Sequence, residues 1–141
     1  MIEYRAETDI AAPAETIWEI LTDVSAYPDW DPSCDRIEGT VSPGAKLKVY
    51  SKLAPGRAFA VKVTQLDPPS TMVWTGGMPL GLFKGVRTFA LSSAGKGQTH
   101  FSLHEVFEGL MLPLISRSMP DMTDAFRGFC AGLKTRAEAA T

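Results

Sequence analysis

The chain holds only two cysteines and two histidines among its 141 residues. Cys34 and Cys130 lie about a hundred residues apart with no CxxC spacing, which excludes a disulfide framework or a thiol metal knuckle. Two idle thiols suit a reducing compartment, so the expected location is cytoplasmic. Long apolar runs are also lacking. The longest, "GLMLPLI" at 109–115, is far too short to span a bilayer, and no stable membrane insertion is expected. The opening "MIEYRAETDI" alternates charged and apolar residues and contains no signal-peptide core. A basic surplus is missing as well: 14 Lys and Arg stand against 16 Asp and Glu, a formal charge of −2. Nucleic-acid binding needs several phosphate-neutralising side chains on one surface, so no nucleic-acid partner is expected. What is present is a 45% hydrophobic composition, enough to bury a core, at the length of one ordinary domain. The reading is a single domain over 1–141.

Residues 2–10 alternate with period two, placing Ile2, Tyr4, Ala6, Thr8 and Ile10 on one face of a half-buried strand. "APAETIWEILTD" then predicts a short helix over about 13–22, with Pro13 in its first turn and Ile17, Ile20 and Leu21 as its apolar stripe. In the following "DVSAYPDWDP", Pro28 and Pro32 are expected to break helical regularity. From 34 to 108 the chain reads as strands at 35–40, 46–53, 57–66, 71–76, 84–92 and 98–108, split by turns rich in Gly, Pro and Ser. These connections leave no room for crossover helices, so the sheet is antiparallel. After Gly109 the apolar spacing becomes helical, through Met119, Met122, Phe126, Phe129, Leu133 and Ala137. Pro120 is expected to set the start of this helix with Ser118 as cap, or to kink a helix begun near Pro113. The fold class is therefore α+β. A curved antiparallel sheet of about seven strands wraps round a long C-terminal helix, with two short helices after the first strand.

Several stretches resemble one family. "DVSAYPDWDP" after the first helix is similar to the D-x-x-x-YP-x-W-(N/D)-P signature of the SRPBCC superfamily, the START-like and birch-pollen-allergen-like helix-grip proteins. "VWTGG" at 73–77, "GLFKGVRTFAL" at 81–91 and "LHEVFEGLMLPL" at 103–114 also fit its polyketide cyclase/dehydrase branch. The resemblance covers essentially the whole chain and implies the helix-grip fold. It implies function only broadly, since members include lipid carriers, cyclases, hydratases and chaperone-associated domains. Relatives carry histidines near the positions of Arg87 and Leu103, and this chain has neither.

Strand alternation selects an inner wall of Phe59, Val61 and Val63, then Met72 and Trp74, then Phe83, Arg87 and Phe89, then Leu103, Glu105 and Phe107. The helix adds Met122 and Phe126, and the signature stretch adds Trp30, expected opposite Trp74. Pairing the last two strands across "SAGKG" sets Phe89 against Leu103, Leu91 against Phe101 and Arg87 against Glu105. An opposite-charge pair thus points into an apolar interior, where pairing offsets much of the cost of burial. Tyr27 is expected to pack the short helices, and Asp29 and Asp31 to be solvated turn acids.

His100 and His104 fall on the outer face roughly 13 Å apart, so no metal site is indicated. No cofactor motif is present either. The loops sort by end: "LAPG", "GGMPLGLF" and "GLMLPLI" gather apolar side chains at one end, polar turns at the other. Loops 77–83 and 109–115 either cap the core, form the mouth of an apolar pocket, or dock a protein; a membrane surface is the weaker case for want of clustered Lys and Arg. The leading reading is binding of a small, largely apolar molecule in a cavity between sheet and helix. An enzyme of the cyclase or dehydratase kind is the alternative, with Glu105 as acid/base and Arg87 stabilising an enolate-like oxygen, although no His or Tyr is expected on the inner face. A protein-interaction domain is the third reading, and the sequence does not decide between monomer and homodimer.

Overall fold

A computed structural model describes residues 1–141. Strand β1 (Ile2–Ile10) leads into helix α1 (Ala14–Thr22) and a 3-10 helix (Val24–Asp29). Strands β2 (Cys34–Glu38), β3 (Lys46–Ser51), β4 (Ala58–Asp67), β5 (Thr71–Met78), β6 (Phe83–Gly95) and β7 (Gln98–Glu108) follow. Two helices close the chain, α2 (Leu112–Ile115) and α3 (Thr123–Ala139). The seven strands form one antiparallel sheet in the order β1-β7-β6-β5-β4-β3-β2. Short turns force the meander from β2 to β7, and the α1 segment carries β1 to the far edge beside β7. This is the α+β helix-grip fold.

The register of the last hairpin is the expected one: Phe89 faces Leu103, Leu91 faces Phe101, and Arg87 faces Glu105. Helix α3 lies against β1, β7 and α1, while the 3-10 helix lies against β2. Its apolar stripe of Phe126, Phe129, Leu133 and Ala137 is fully buried, joined by Cys130. Burial pushes the Cys34 thiol up to about 11 and the Cys130 thiol up to about 12, so both stay protonated and inert at neutral pH.

Two local expectations change. Pro28 sits inside the 3-10 helix rather than ending regular structure; its ring holds φ at about −65°, which lies within the 3-10 range. Helix α3 starts at Thr123, later than Pro120 and Ser118 suggested, and α2 is a separate turn begun around Pro113. Ser118 donates to the Ile115 carbonyl, ending the α2 region, while Asp121 Oδ1 accepts from the Thr123 amide at 2.9 Å and its hydroxyl at 2.6 Å. The start of α3 is thus held by a side chain from outside the helix. Along α3, Gly128 and Gly132 face the signature stretch: a Cβ on Gly132 would collide with the Trp30 carbonyl, and one on Gly128 would stand 3.1 Å from Pro32. Lacking side chains there, the helix presses directly onto Trp30–Pro32.

Candidate functional site

Cross-strand registers arrange the concave face in rows. The deepest, Leu91, Phe101 and Thr8, and the next, Met72, Phe89, Leu103 and Ala6, are apolar but for the Thr8 hydroxyl. Above them runs Val63, Trp74, Arg87, Glu105 and Tyr4. The next row toward the α2 end is Val61, Gly76, Gly85, Phe107 and Ile2. Met78 and Phe83 pair at the rim.

The lower rows are packed solid by rings. Phe129 of α3 stands 4.9 Å from Trp30, 5.8 Å from Tyr27, and 6.0 Å from both Phe89 and Phe101. Tyr27 lies between the two tryptophans, 4.7 Å from Trp30 and 6.1 Å from Trp74, so they are not directly opposed. Its hydroxyl donates to the Leu21 carbonyl at 2.6 Å, fastening α1 to the 3-10 helix as expected. The deep cavity foreseen between sheet and helix is therefore filled at this level by aromatic side chains. Two surface recesses, of about 210 and 280 Å³, lie elsewhere: one between α1, the 3-10 helix and Arg136, the other by the polar turns at the opposite end of the sheet.

The polar row marks where packing gives way to an open end. Arg87 donates through Nε to Glu105 Oε1 at 2.7 Å, with the two side chains 26% and 13% exposed. The guanidinium also lies 5.1 Å from the Phe126 ring centroid, a cation–π contact. Its terminal nitrogens and Glu105 Oε2 have no protein partner. Burial by itself would pull the Arg87 pKa down; the Glu105 charge and hydrogen bond, then Asp31 and Tyr27, push it up on balance. Arg87 is a fixed cation here. Trp30 and Trp74 each bury an indole Nε1 with no protein partner.

In the row above, Gly76 and Gly85 face each other and carry no side chain; a Cβ on Gly76 would stand 2.7 Å from the Ala60 carbonyl oxygen. A Cβ on Gly85 would stand 3.0 Å from the Phe107 ring and 3.4 Å from Glu105 Oε2. The absence of a Gly85 side chain thus lets the Phe107 ring lie close over this position, beside Glu105. Phe107 is buried and stacks on half-buried Phe83 at 5.8 Å, and Met122 is half-buried beside the core.

Three expectations need correction. Phe59 has inner-face parity but is 43% exposed, since this end of β4 runs past the cover given by α3; Arg57 lies 5.5 Å over its ring. Asp31 is not a solvated acid: it is 6% exposed, and its Oδ1 accepts from the Ser33 amide and hydroxyl, both at 3.1 Å. Burial pushes its pKa up against those hydrogen bonds and the Arg87 charge. An inner-face tyrosine does exist. Tyr4 pairs with Glu105 across β1 and β7, 5.8 Å from Phe126, and its hydroxyl has no protein partner. Its parity was legible in β1; the missing information was that β1 joins the sheet beside β7. Gly85 was legible too, sharing parity with Arg87. His100 and His104 do face outward, His100 pairing with Asp9 at 2.7 Å and Glu7 at 3.5 Å, and His104 with Glu3 at 2.7 Å.

A family model described as "Polyketide cyclase / dehydrase and lipid transport" matches residues 1–138. The chain belongs to this family. Solved structures agree with it in fold. A START superfamily protein from Mycobacterium smegmatis matches with a TM-score of 0.72 and 18% identity, over 99% of each chain. Protein MLL2253 from Mesorhizobium loti gives 0.77 and 19%, also over 99% of each. The Zhui aromatase/cyclase from Streptomyces sp. R1128 gives 0.71 and 16%, over 97% of this chain and 93% of its own. At these identities the likeness establishes the fold. No protein with a curated description matches the chain. Within this polyketide cyclase/dehydrase family member, no helix is long and apolar enough to cross a membrane.

Proposed function

We propose that the chain binds one small, largely apolar molecule at the open end of the concave face, above the Arg87–Glu105 pair. The observation that carries this reading is the half-satisfied pair itself. One hydrogen bond joins the two side chains, leaving the Arg87 terminal nitrogens and Glu105 Oε2 without protein partners beneath a glycine row. Partly exposed donors and an acceptor beside aromatic walls suit a ligand with a polar end. Phe126, Phe107, Phe83, Tyr4 and Met122 supply the apolar contact, and Trp74 borders the pair from β5. The packed lower rows, with Met72, Phe89 and Leu103, act as a rigid floor rather than a pocket wall, and Trp30 supports that floor. Two free buried thiols fit a cytoplasmic setting.

Titration of the purified chain with 1-anilinonaphthalene-8-sulfonate, an apolar probe bearing one anion, tests the reading. Saturable one-to-one binding is expected, weakened at least about tenfold in Arg87→Met. Unsaturable uptake, or equal affinity in the variant, would remove the proposal.

A second reading has its own support. Tyr4, Glu105 and Arg87 share one row, giving a phenol, a carboxylate and a cation for proton transfer and oxyanion stabilisation. That set suits cyclisation or dehydration of a carbonyl-rich substrate, as the family description suggests. Loss of turnover in Glu105→Gln with probe binding retained would favour the enzyme; unchanged turnover would end that reading.

A further inference from the structure

The turns at the open end carry leucines where water-facing turns ordinarily carry polar residues. Leu80 is 91% exposed, Leu110 82% and Leu114 61%. With Leu53, Phe59, Met78 and the terminal Met1, they make up the large apolar side chains this chain exposes. All of them lie at that one end of the sheet. Leu80 has φ of +61°, a left-handed backbone that glycine would occupy without strain. The two leucine loops form one surface: the Leu110 amide donates to the Gly81 carbonyl at 3.2 Å, and the Met111 amide to the Leu82 carbonyl at 2.8 Å. Core capping falls to buried Leu112, which leaves Leu80, Leu110 and Leu114 facing water.

The charges around this patch carry both signs. Lys52, Arg57, Lys84 and Arg117 are exposed there, and so are Asp35, Glu108 and Asp121. None of them belongs to an ion pair within the chain. An apolar centre inside a charged margin is the anatomy of a protein–protein contact. A margin of both signs also complements itself: a two-fold axis through the patch can set the cations of one copy against the acids of the other. Size agrees. The exposed fractions of these side chains amount to roughly 500 Å² of apolar surface per copy. A standard interface covers about 800 Å² per partner, and homodimer interfaces are about 65% apolar. The patch and its margin together are therefore large enough for a stable dimer.

We propose that this end is the face of an isologous homodimer, in which a second copy closes the mouth of the ligand site. What is closed rests on the ligand-site reading; the interface itself stands on the patch and its charges. The test is sedimentation velocity of the full chain in probe-free buffer, from about 1 to about 200 μM. A concentration-dependent dimer is expected, with its Kd weakened at least about tenfold in Leu80→Asp/Leu110→Asp. Both leucines are exposed, so the variant's thermal melt at the lowest concentration should match that of the parent. A second pair of variants reads the charges. Arg57→Glu/Lys84→Glu and Asp35→Lys/Glu108→Lys should each sediment as monomers and form a heterodimer when mixed. A parent chain that stays monomeric over the whole range would overturn the dimer; saturable uptake of 1-anilinonaphthalene-8-sulfonate by that monomer would leave the ligand reading standing. A dimer indifferent to the leucine and charge variants would place the contact elsewhere and also overturn it. Capture of a different protein by a monomeric parent, lost in the leucine variant, would assign the patch to that partner instead. A dimer whose affinity for the probe is independent of chain concentration would overturn the closing of the mouth.

Discussion

Arg87 reaches Glu105 through Nε alone, and the remainder of both groups has no protein partner. Removing one partner leaves a partly buried charge unpaired. Glu105→Gln should therefore lower stability by roughly 1–3 kcal/mol, less than for a fully buried pair. Arg87→Met/Glu105→Met should recover most of that loss in a urea titration while abolishing probe binding. Recovery of both stability and binding would make the pair purely structural. Asp31 gives a separate test in pH. Its folded pKa is raised, so the folded state holds the proton more tightly than the unfolded chain. That contribution is complete below the ordinary carboxylate range and is lost as pH rises through the raised value. Asp31→Asn, which mimics the protonated form, should raise Tm at about pH 7 and give little change at about pH 3. A destabilised variant at neutral pH would mean that the ionised carboxylate is the stabilising form.

Helix α3 owes its position to residues without side chains. Alanine is intrinsically the better helix former by about 1 kcal/mol, so propensity alone predicts that Gly132→Ala stabilises. The structure reverses the sign, since the new methyl would run into the Trp30 carbonyl. A lowered Tm checks this, and a raised one would show the approach of α3 to Trp30 to be looser than described. At this scale the sequence was readable where periodicity was strict. Alternation in β6 and β7, together with the short turn that joins them, paired Arg87 with Glu105, because a one-residue slip would have set inner positions against outer ones. Periodicity could not say where α3 begins, since Met119 and Met122 continue the apolar spacing outside it. Nor could it show that Tyr4 adjoins Glu105, a contact that depends on β1 crossing to the far edge of the sheet. Asp31 was misread for a related reason: a turn acid looks solvated until the helix that covers it is in place.

For the whole molecule, the sheet divides along its length into a sealed part and an open part. Aromatic contacts centred on Phe129 close the lower rows, while the Arg87–Glu105 row above them keeps partial exposure beside Phe107 and Phe83. On the proposed reading, stability and binding fall to different halves of one concave face, with Arg87 and Glu105 at the boundary. Changes in the lower half should unfold the chain, while changes in the upper half should alter what it holds. A crystal structure of the chain soaked with an apolar probe carrying one carbonyl or acid group tests this most directly. The account predicts probe density beside the Arg87–Glu105 pair, its oxygen within hydrogen-bond reach of the Arg87 terminal nitrogens and its apolar body against Phe126 and Phe107. Density confined to the recess beside Trp30 and Arg136, with the Arg87–Glu105 pair untouched, would contradict it.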